Sequence, residues 1–401
     1  MMNIVLISPN FPPNYYHFAV ALRRNGVNVL GVGDAPFHEL RPVLRDALTE
    51  YFRLDSLHVY EDLLRACAYF TYRHGKIHRL ESHNEYWLES DAHLRTDFNI
   101  PGLKMADAKH VKRKSKMKEV FEQAEVRVAK GAIVHSKAEA QVLVDEVGYP
   151  LMAKPDVGVG AAGTYKIKDE VELNAFFAQK PLVDYFMEEF ITGTLHSFDG
   201  LTDRHGRLVF YTAHFYEPGI MEVVNEDRDV FACSLREIPT GLKEAGMRAV
   251  RAFDVRERFF HIEFFHADDG RWLAVEMNIR PPGGLMMEIM NYANDIDLYQ
   301  QWANVVVFDT FNTEYTRPYH CGFAGRKRHR PYRHTREEIE AAYGSLLVHQ
   351  QPISPIFARA MGDYAYVVRS PDLDEIKAAS GFILEPAPRI GSTPTEDQNA
   401  R

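Results

Sequence analysis

The chain reads as an α/β protein of more than one domain, with an open, mostly parallel sheet at the N-terminus followed by an α+β region rich in antiparallel hairpins. Three observations predict this. Ile4–Ser8 and Val27–Val32 are short apolar runs separated by a helical stretch at Tyr16–Asn25 that Gly26 ends, the alternation of a parallel sheet. Residues 261–284, HIEFFHADDGRWLAVEMNIRPPGG, are two alternating strands joined by a tight turn at Ala267-Asp268-Asp269-Gly270, a hairpin. The length, 401 residues, exceeds one typical domain.

Along the chain, 55–75 reads as a helix with Leu57, Tyr60, Leu63, Leu64 and Cys67 on one stripe. Ile77–Leu80 reads as a strand and Asp91–Thr96 as a helix. Ile100-Pro101-Gly102 closes the unit and places a boundary near 105. A single basic helix is expected over Ala106–Ala124. Strands follow at Ala132–Val134, Leu151–Lys154, Thr164–Ile167 and Met187–Ile191, with helices at Ala138–Val147 and Glu170–Ala178. Ser197–Thr202, Leu208–Phe215, Phe259–Phe264 and Trp272–Met277 add strands, and 285–308 is a long apolar helix or helix pair. The expected units are 1–105, 106–308 (split at 186/187), an α/β extension at 309–385 and a disordered polar tail at 386–401.

Composition narrows the class. A hydrophobic fraction of 46% with 26% charged residues is ordinary for a soluble globular protein. A formal net charge of −9 argues against wholesale attraction to nucleic acid or an anionic membrane. No run of 18 apolar residues and no signal-peptide pattern is present. Cys67, Cys233 and Cys321 are far apart and form no CxxC, against a zinc ribbon or disulfide framework. A reducing, cytoplasmic compartment is the expectation.

The hairpin carries most of the chemistry. Glu276 and Asn278 are two apart, so on a strand they share a face, and the hairpin can bring Glu263 alongside them. Two carboxylates and an amide oxygen are a hard donor set that suits Mg²⁺. Arg280, two residues on, can hold a phosphoryl or carboxylate oxygen bidentately. An ordinary amphipathic hairpin would show the same alternation; the rigid Pro281-Pro282-Gly283-Gly284 run after the arginine favours close approach of a ligand. The loop 156–163 contains a literal GxGxxG at Gly158, Gly160 and Gly163, but it leads into the alternating Thr164-Tyr165-Lys166-Ile167 rather than a helix, against a dinucleotide-binding turn. A strand–glycine loop–strand is a flap able to lay backbone N–H groups over phosphates, or a plain surface hairpin. Lys154 ends the strand before it. Lys114 and Lys118, four apart, share a helix face.

These pieces in this order resemble the ATP-grasp superfamily over about 106–308: Lys114 three residues before Met117, Lys154-Pro155, the glycine flap, Met187-Glu188-Glu189-Phe190-Ile191, Glu263, and Glu276-Met277-Asn278-Ile279-Arg280. The first 105 residues resemble the domain preceding the ATP-grasp in carboxylate–amine ligases, from Asn84-Glu85 through Leu94-Arg95 to Phe98-Asn99-Ile100-Pro101-Gly102; amino-acid ligases, D-alanine–D-alanine ligases and biotin carboxylases share this plan. The resemblance implies two α+β subdomains clasping ATP. It implies that Lys114 and Lys154 contact the α- and β-phosphates beneath Gly158, Gly160 and Gly163, that Glu188 faces the adenine amino group, and that backbone at Glu189 and Ile191 forms the hinge. Glu263, Glu276 and Asn278 would hold two Mg²⁺ ions (Mn²⁺ as a substitute), and Arg280 would steady the transferred phosphoryl group. Where many relatives place a ribose-binding glutamate this chain has Leu195, with His196 next to it as the substitute contact; Ile279 replaces a usual proline and Met277 a commoner isoleucine.

The implied activity is ligation of a small-molecule carboxylate to an amine through an acyl phosphate. A bicarbonate-activating carboxylase, a small-molecule kinase and a non-catalytic nucleotide sensor are the alternatives. The basic run Arg326-Lys327-Arg328-His329-Arg330 with Arg333 and Arg336 reads either as an anion site or, given Glu337, Glu338 and Glu340, as a locally neutralised segment. His83-Asn84-Glu85 reads as an acceptor-pocket edge or a helix cap. The apolar 285–308 segment and the aromatic 364–368 strand are candidate homodimer surfaces.

Overall fold

The computed structural model describes residues 1–158, 163–219, 223 and 226–388. The Gly160 position and the tail from 389 onward lie outside them. The N-terminal unit runs β1 (Asn3–Ile7), α1 (Tyr16–Arg24), β2 (Asn28–Gly33), α2 (Pro42–Ala47), β3 (Glu50–Arg53), α3 (Tyr60–His74), β4 (Arg79–Glu81) and α4 (Leu88–Asp97). Its four strands lie in the order β3-β2-β1-β4, all parallel, as the alternating pattern predicts.

The helix expected as one over 106–124 is two, α5 (Met105–Lys112) and α6 (Lys114–Gln123), broken at extended Arg113. The break has a visible cause. Asp156, at the root of the flap, takes the N–H of Lys114 on its carbonyl (2.9 Å) and the N–H of Ser115 on its carboxylate (2.8 Å), so α6 starts afresh on an acidic cap. Val111, Met117 and Phe121 then bury against Val250, Phe253 and Ile262. Helix α6 therefore packs on the large sheet described below while its N-terminus is held by Asp156 of the small one.

A small antiparallel sheet follows: β5 (Gly131–Val134), α7 (Lys137–Val147), β6 (Leu151–Pro155), β7 (Tyr165–Ile167), α8 (Glu170–Gln179) and β8 (Tyr185–Glu189), with strand order β5-β8-β6-β7. Ser136 and Asp169 cap α7 and α8 by accepting the N–H of Glu139 and Glu172.

The rest builds one eight-stranded antiparallel sheet. It comprises β9 (Gly193–Thr202), β10 (Leu208–Glu217), β11 (Val230–Ser234), α9 (Thr240–Ala252), β12 (Phe259–Ala267), β13 (Trp272–Asn278), α10 (Met286–Asn294), α11 (Leu298–Phe308), β14 (His320–Arg326), α12 (Arg336–Tyr343), β15 (Leu347–Pro352), α13 (Pro355–Met361), β16 (Tyr364–Ser370) and α14 (Leu373–Leu384). The order is β13-β12-β9-β10-β11-β14-β16-β15. The segment expected as a separate extension from 309 thus continues the same sheet, because β14 pairs with β11 from Val230↔Gly325 to Cys233↔Gly322. Strand β16 lies between β14 and β15, so its aromatic run is interior to the sheet.

The 285–308 helices are equally occupied. Trp302 (1% exposed), Tyr299 and Val306 share a core with Phe18, Leu22, Phe210 and Phe259, which ties the N-terminal unit to the large sheet. Cys67, Cys233 and Cys321 are buried thiols.

Two outcomes follow from this shared core. Trp302→Ala removes a fully buried indole, so unfolding by denaturant should show a loss of about 3–5 kcal/mol. His83 stacks on Phe18 at 3.9 Å between ring centroids and meets Trp302 edge-on. Burial, outweighing the attraction of Glu81, lowers its pKa to about 3. The unfolded imidazole protonates near pH 6.5 and the folded one does not, so stability present above that pH is lost as pH falls towards 3. His83 has φ +56°, a conformation asparagine tolerates. Between pH 6.5 and 4 the stability of His83→Asn should decline by on the order of 3 kcal/mol less than that of the parent, read by urea titrations at each pH.

Candidate nucleotide and phosphoryl-transfer site

A cavity of about 520 Å³ lies between the small sheet and the β9–β12–β13 edge of the large one. Its residues come from both sides: Lys154, Glu188, Glu189 and Ile191 from the small-sheet side, Lys114, Lys118, Glu263 and Glu276 from the other. Apolar Ala129, Met152, Phe265 and Leu273 complete it, a lining suited to a flat heterocycle with a charged tail.

Charges in the cavity are paired internally. Glu188 sits between Lys154 Nζ (2.5 Å) and Lys118 Nζ (2.8 Å). Burial alone would raise the Glu188 pKa, but the two ammonium groups more than reverse this and hold it at about 2. Lys118 goes the other way: burial lowers its pKa despite Glu188. The carboxylate expected to face adenine is thus engaged by lysines. The hinge is fixed as well: Glu189 donates its N–H to the Lys130 carbonyl (2.9 Å) and accepts the Lys130 N–H on its side chain (2.9 Å). The flap is a strand–loop–strand as read, since β6 and β7 pair antiparallel from Leu151↔Ile167 to Ala153↔Tyr165. Gly163 has φ +72°, which favours glycine at that turn.

The hairpin brings the hard donors together. Glu263 lies opposite Glu276, and His261 opposite Asn278, with a bulge after Glu263. Gly270 closes the turn with a 2.8 Å bond to the Ala267 carbonyl. Lys114 Nζ reaches Glu276 at 3.2 Å. Burial raises the Glu276 pKa, Lys114 opposes this, and Glu263 and Glu85 add to the rise. For Glu263, burial is outweighed by the hydrogen bond from His261, so its pKa is lowered. Beyond the hairpin, Arg280 donates to Glu85 (3.0 Å) and to the Pro281 carbonyl (2.9 Å), and lies 3.4 Å from Asn278 Oδ1. Asn84 makes a turn by accepting the Tyr86 N–H (2.9 Å), two residues before α4 begins, and so is not its cap.

His196 lies off the cavity. Leu195 lines the cavity, so its neighbour on the strand projects to the opposite face; His196 lies edge-on to Trp272 at 5.0 Å, with Nδ1 3.1 Å from the Thr194 carbonyl. It is a packed side chain and is not among the residues that line the cavity. The basic run is neutralised as one reading expected, though mostly by distant carboxylates: Lys327 and His329 by Asp227, Arg330 by Asp229, Arg333 by Glu385, and Arg336 by Glu340.

Other residues enter from geometry alone. Lys118 had a signal in its four-residue spacing from Lys114, and Lys166 follows the flap in the alternating strand; both line the cavity. Asp199, fully buried, lies 2.6 Å from His261 Nδ1, 2.8 Å from His214 Nδ1 and 2.5 Å from Ser197 Oγ. This network has no contiguous motif, because its members come from three strands.

Residues 147–289 match the family model of the ATP-grasp domain, a span containing Lys154, Glu188, Glu263, Glu276, Asn278 and Arg280. The chain is 21% identical over 251 residues to an L-arginine-specific L-amino acid ligase of Bacillus subtilis, covering 58% of this chain and 59% of that protein. It is 24% identical over 172 residues to the arginine-specific large chain of carbamoyl phosphate synthase of Bacillus subtilis (strain 168), covering 40% of this chain. It thus spans 59% of the first relative's length and 16% of the second's. An L-amino acid ligase from Bacillus licheniformis has the same fold, with a TM-score of 0.73 at 16% identity over 95% of this chain and 96% of that one. Residues 147–289 thus match an ATP-grasp domain, and the chain as a whole has the fold of that amino acid ligase.

Proposed function

We propose that the chain is an ATP-dependent ligase that activates a small-molecule carboxylate as an acyl phosphate for attack by an amine, releasing ADP and phosphate. The observation that carries this reading is the continuity of the site. Lysines at the nucleotide cavity lead to Glu263 and Glu276, then to Asn278, and end at Arg280 paired with Glu85 of the N-terminal unit. Such a path suits a phosphoryl group passed from one end to an acid waiting at the other, a reaction that needs positioning and charge neutralisation more than a covalent nucleophile.

The donor set fits Mg²⁺. Glu263 and Glu276 are partly buried opposite one another, and each charge is unfavourable to the other unless a cation lies between. Among the described residues no cluster of three or more His, Cys, Asp or Glu forms a cage, so coordination would be shared with phosphate oxygens and water, as Mg²⁺ prefers. Glu263, Glu276 and Asn278 would hold it, and when bound it would neutralise phosphate charge. Lys114, Lys118 and Lys154 would contact the phosphates and Arg280 the developing acyl phosphate, while Ile191 and Glu189 supply hinge backbone. The flap at Gly158, Gly160 and Gly163 would keep out water that otherwise hydrolyses the intermediate.

The test is ADP and phosphate release from Mg²⁺-ATP against pooled amino acids and other small carboxylates, with and without amines. Release that needs both, with a condensed product by mass, is expected. A stable phosphorylated product or strict bicarbonate dependence would replace the ligase by a kinase or a carboxylase. Glu276→Gln should lower turnover by a factor on the order of 10² or more while the protein stays folded. Lys118→Met should weaken ATP binding about tenfold by calorimetry, from loss of one charge-assisted contact.

A further inference from the structure

One face of the large sheet carries a polar patch that packing does not require. In the register of β9, β12 and β13, Asp199 stands opposite His261 and His261 opposite Asn278, while Ser197 stands opposite Glu263 and Glu263 opposite Glu276. Residues two apart on a strand share a face, so these two rows lie side by side. The residues between them, Phe198, Ile262 and Met277, belong to an apolar core with Phe260 and Phe264. A face that only had to pack would be filled as that one is. Asp199 and Ser197 are instead fully buried, and burying a carboxylate carries a desolvation cost that an apolar residue of similar size would avoid.

His261 joins the two rows. Its Nδ1 lies 2.6 Å from Asp199 Oδ1 and its Nε2 3.4 Å from Glu263 Oε1. A neutral imidazole has one N–H and would turn a lone pair towards one of these anions; with a carboxylate at each nitrogen, both donate. Asp199 is itself fixed, since its Oδ2 accepts from Ser197 Oγ (2.5 Å) and lies 2.8 Å from His214 Nδ1. The ring is thus gripped at one nitrogen by a buried anion and presents the other to Glu263. Across the hairpin, Lys114 Nζ engages Oε1 of Glu276 in the same manner (3.2 Å). Glu263 needs such a hold. The strand bulges directly after it, its side chain remains 28% exposed, and fixing a flexible glutamate costs rotamer entropy.

We propose that His261, aimed by Asp199, is a positioning residue that holds the Glu263 carboxylate in the orientation in which it takes a divalent cation. The role rests on the metal part of the proposed function and is independent of which acid and amine are joined. A group that orients a metal ligand is commonly worth about 10- to 100-fold in metal affinity.

Two substitutions separate the ends of the ring. In His261→Asn the amide nitrogen stands near the place of Nδ1, keeping Asp199 and losing Glu263. In His261→Gln it stands near the place of Nε2, keeping Glu263. Both variants lose the ring's charge, so the difference between them reads the hold on Glu263. Mn²⁺ is titrated in saturating ADP, following the EPR signal of unbound Mn²⁺, and metal-free ADP binding is measured by calorimetry in EDTA. Mn²⁺ should bind His261→Asn at least about tenfold more weakly than the parent, and His261→Gln within about threefold of it, with metal-free ADP affinity unchanged in both. Equal Mn²⁺ affinity in the two variants overturns the role. So does a parallel loss of metal-free ADP binding, which would mark the ring as part of the packing alone. Where His261→Asn does not fold, His261→Gln decides by itself, and a tenfold loss of Mn²⁺ with ADP still bound overturns the role. A parent that binds ADP and takes up no Mn²⁺ removes the metal reading of Glu263 as well. Mn²⁺ bound by the parent and equally by both variants removes the positioning role and leaves the metal reading standing.

Discussion

Two carboxylates facing each other across an antiparallel pair repel, and much of this molecule can be understood as what makes Glu263 opposite Glu276 tolerable. Lys114 reaches one and His261 the other, and each cation is itself held in place. Lys114 begins a helix because Asp156 takes the N–H groups there. His261 is aimed by Asp199, which also gathers His214 and Ser197 in the sheet interior. Desolvated charges are stable only when every partner is present, so loss of any member would be felt at the hairpin.

How much of this was legible in the sequence depends on whether the determinant was local. The parallel N-terminal sheet, the hairpin and the flap follow from period-two alternation and turn residues, and they stand where the pattern put them. Glu263, Glu276, Asn278 and Arg280 were readable because strand geometry alone sets their relative faces. The break at Arg113 was not, because its cause is Asp156, 43 residues away. The place of Glu188 in a motif points to the nucleotide cavity, which it lines, but not to its pairing with lysines on two other elements. His196 lies off the cavity for a simpler reason: Leu195 takes the cavity face, and alternation sends its neighbour away.

Domain limits were the least legible feature. A boundary near 105 looks sound by composition, yet Phe18 and Leu22 share a core with Trp302 and Val306. The region after 309 looked like an appendage and supplies β14, β16 and β15 to the central sheet. Apolar stripes reveal that a face must be covered, not what covers it. The same ambiguity holds for 285–308, one face of which is covered by α1.

The two ion pairs of Glu188 differ in a way that gives them unequal mechanical meaning. Lys154 and Glu188 stand on adjacent strands of the small sheet, in β6 and β8, and would travel together if that sheet swung. Lys118 stands on α6, packed with the large sheet. Any rotation that parts the clasp therefore stretches Lys118–Glu188 and leaves Lys154–Glu188 intact. Lys118–Glu188 thus spans the seam alongside the bonds from α6 to Asp156, while Lys154–Glu188 lies wholly within the small sheet.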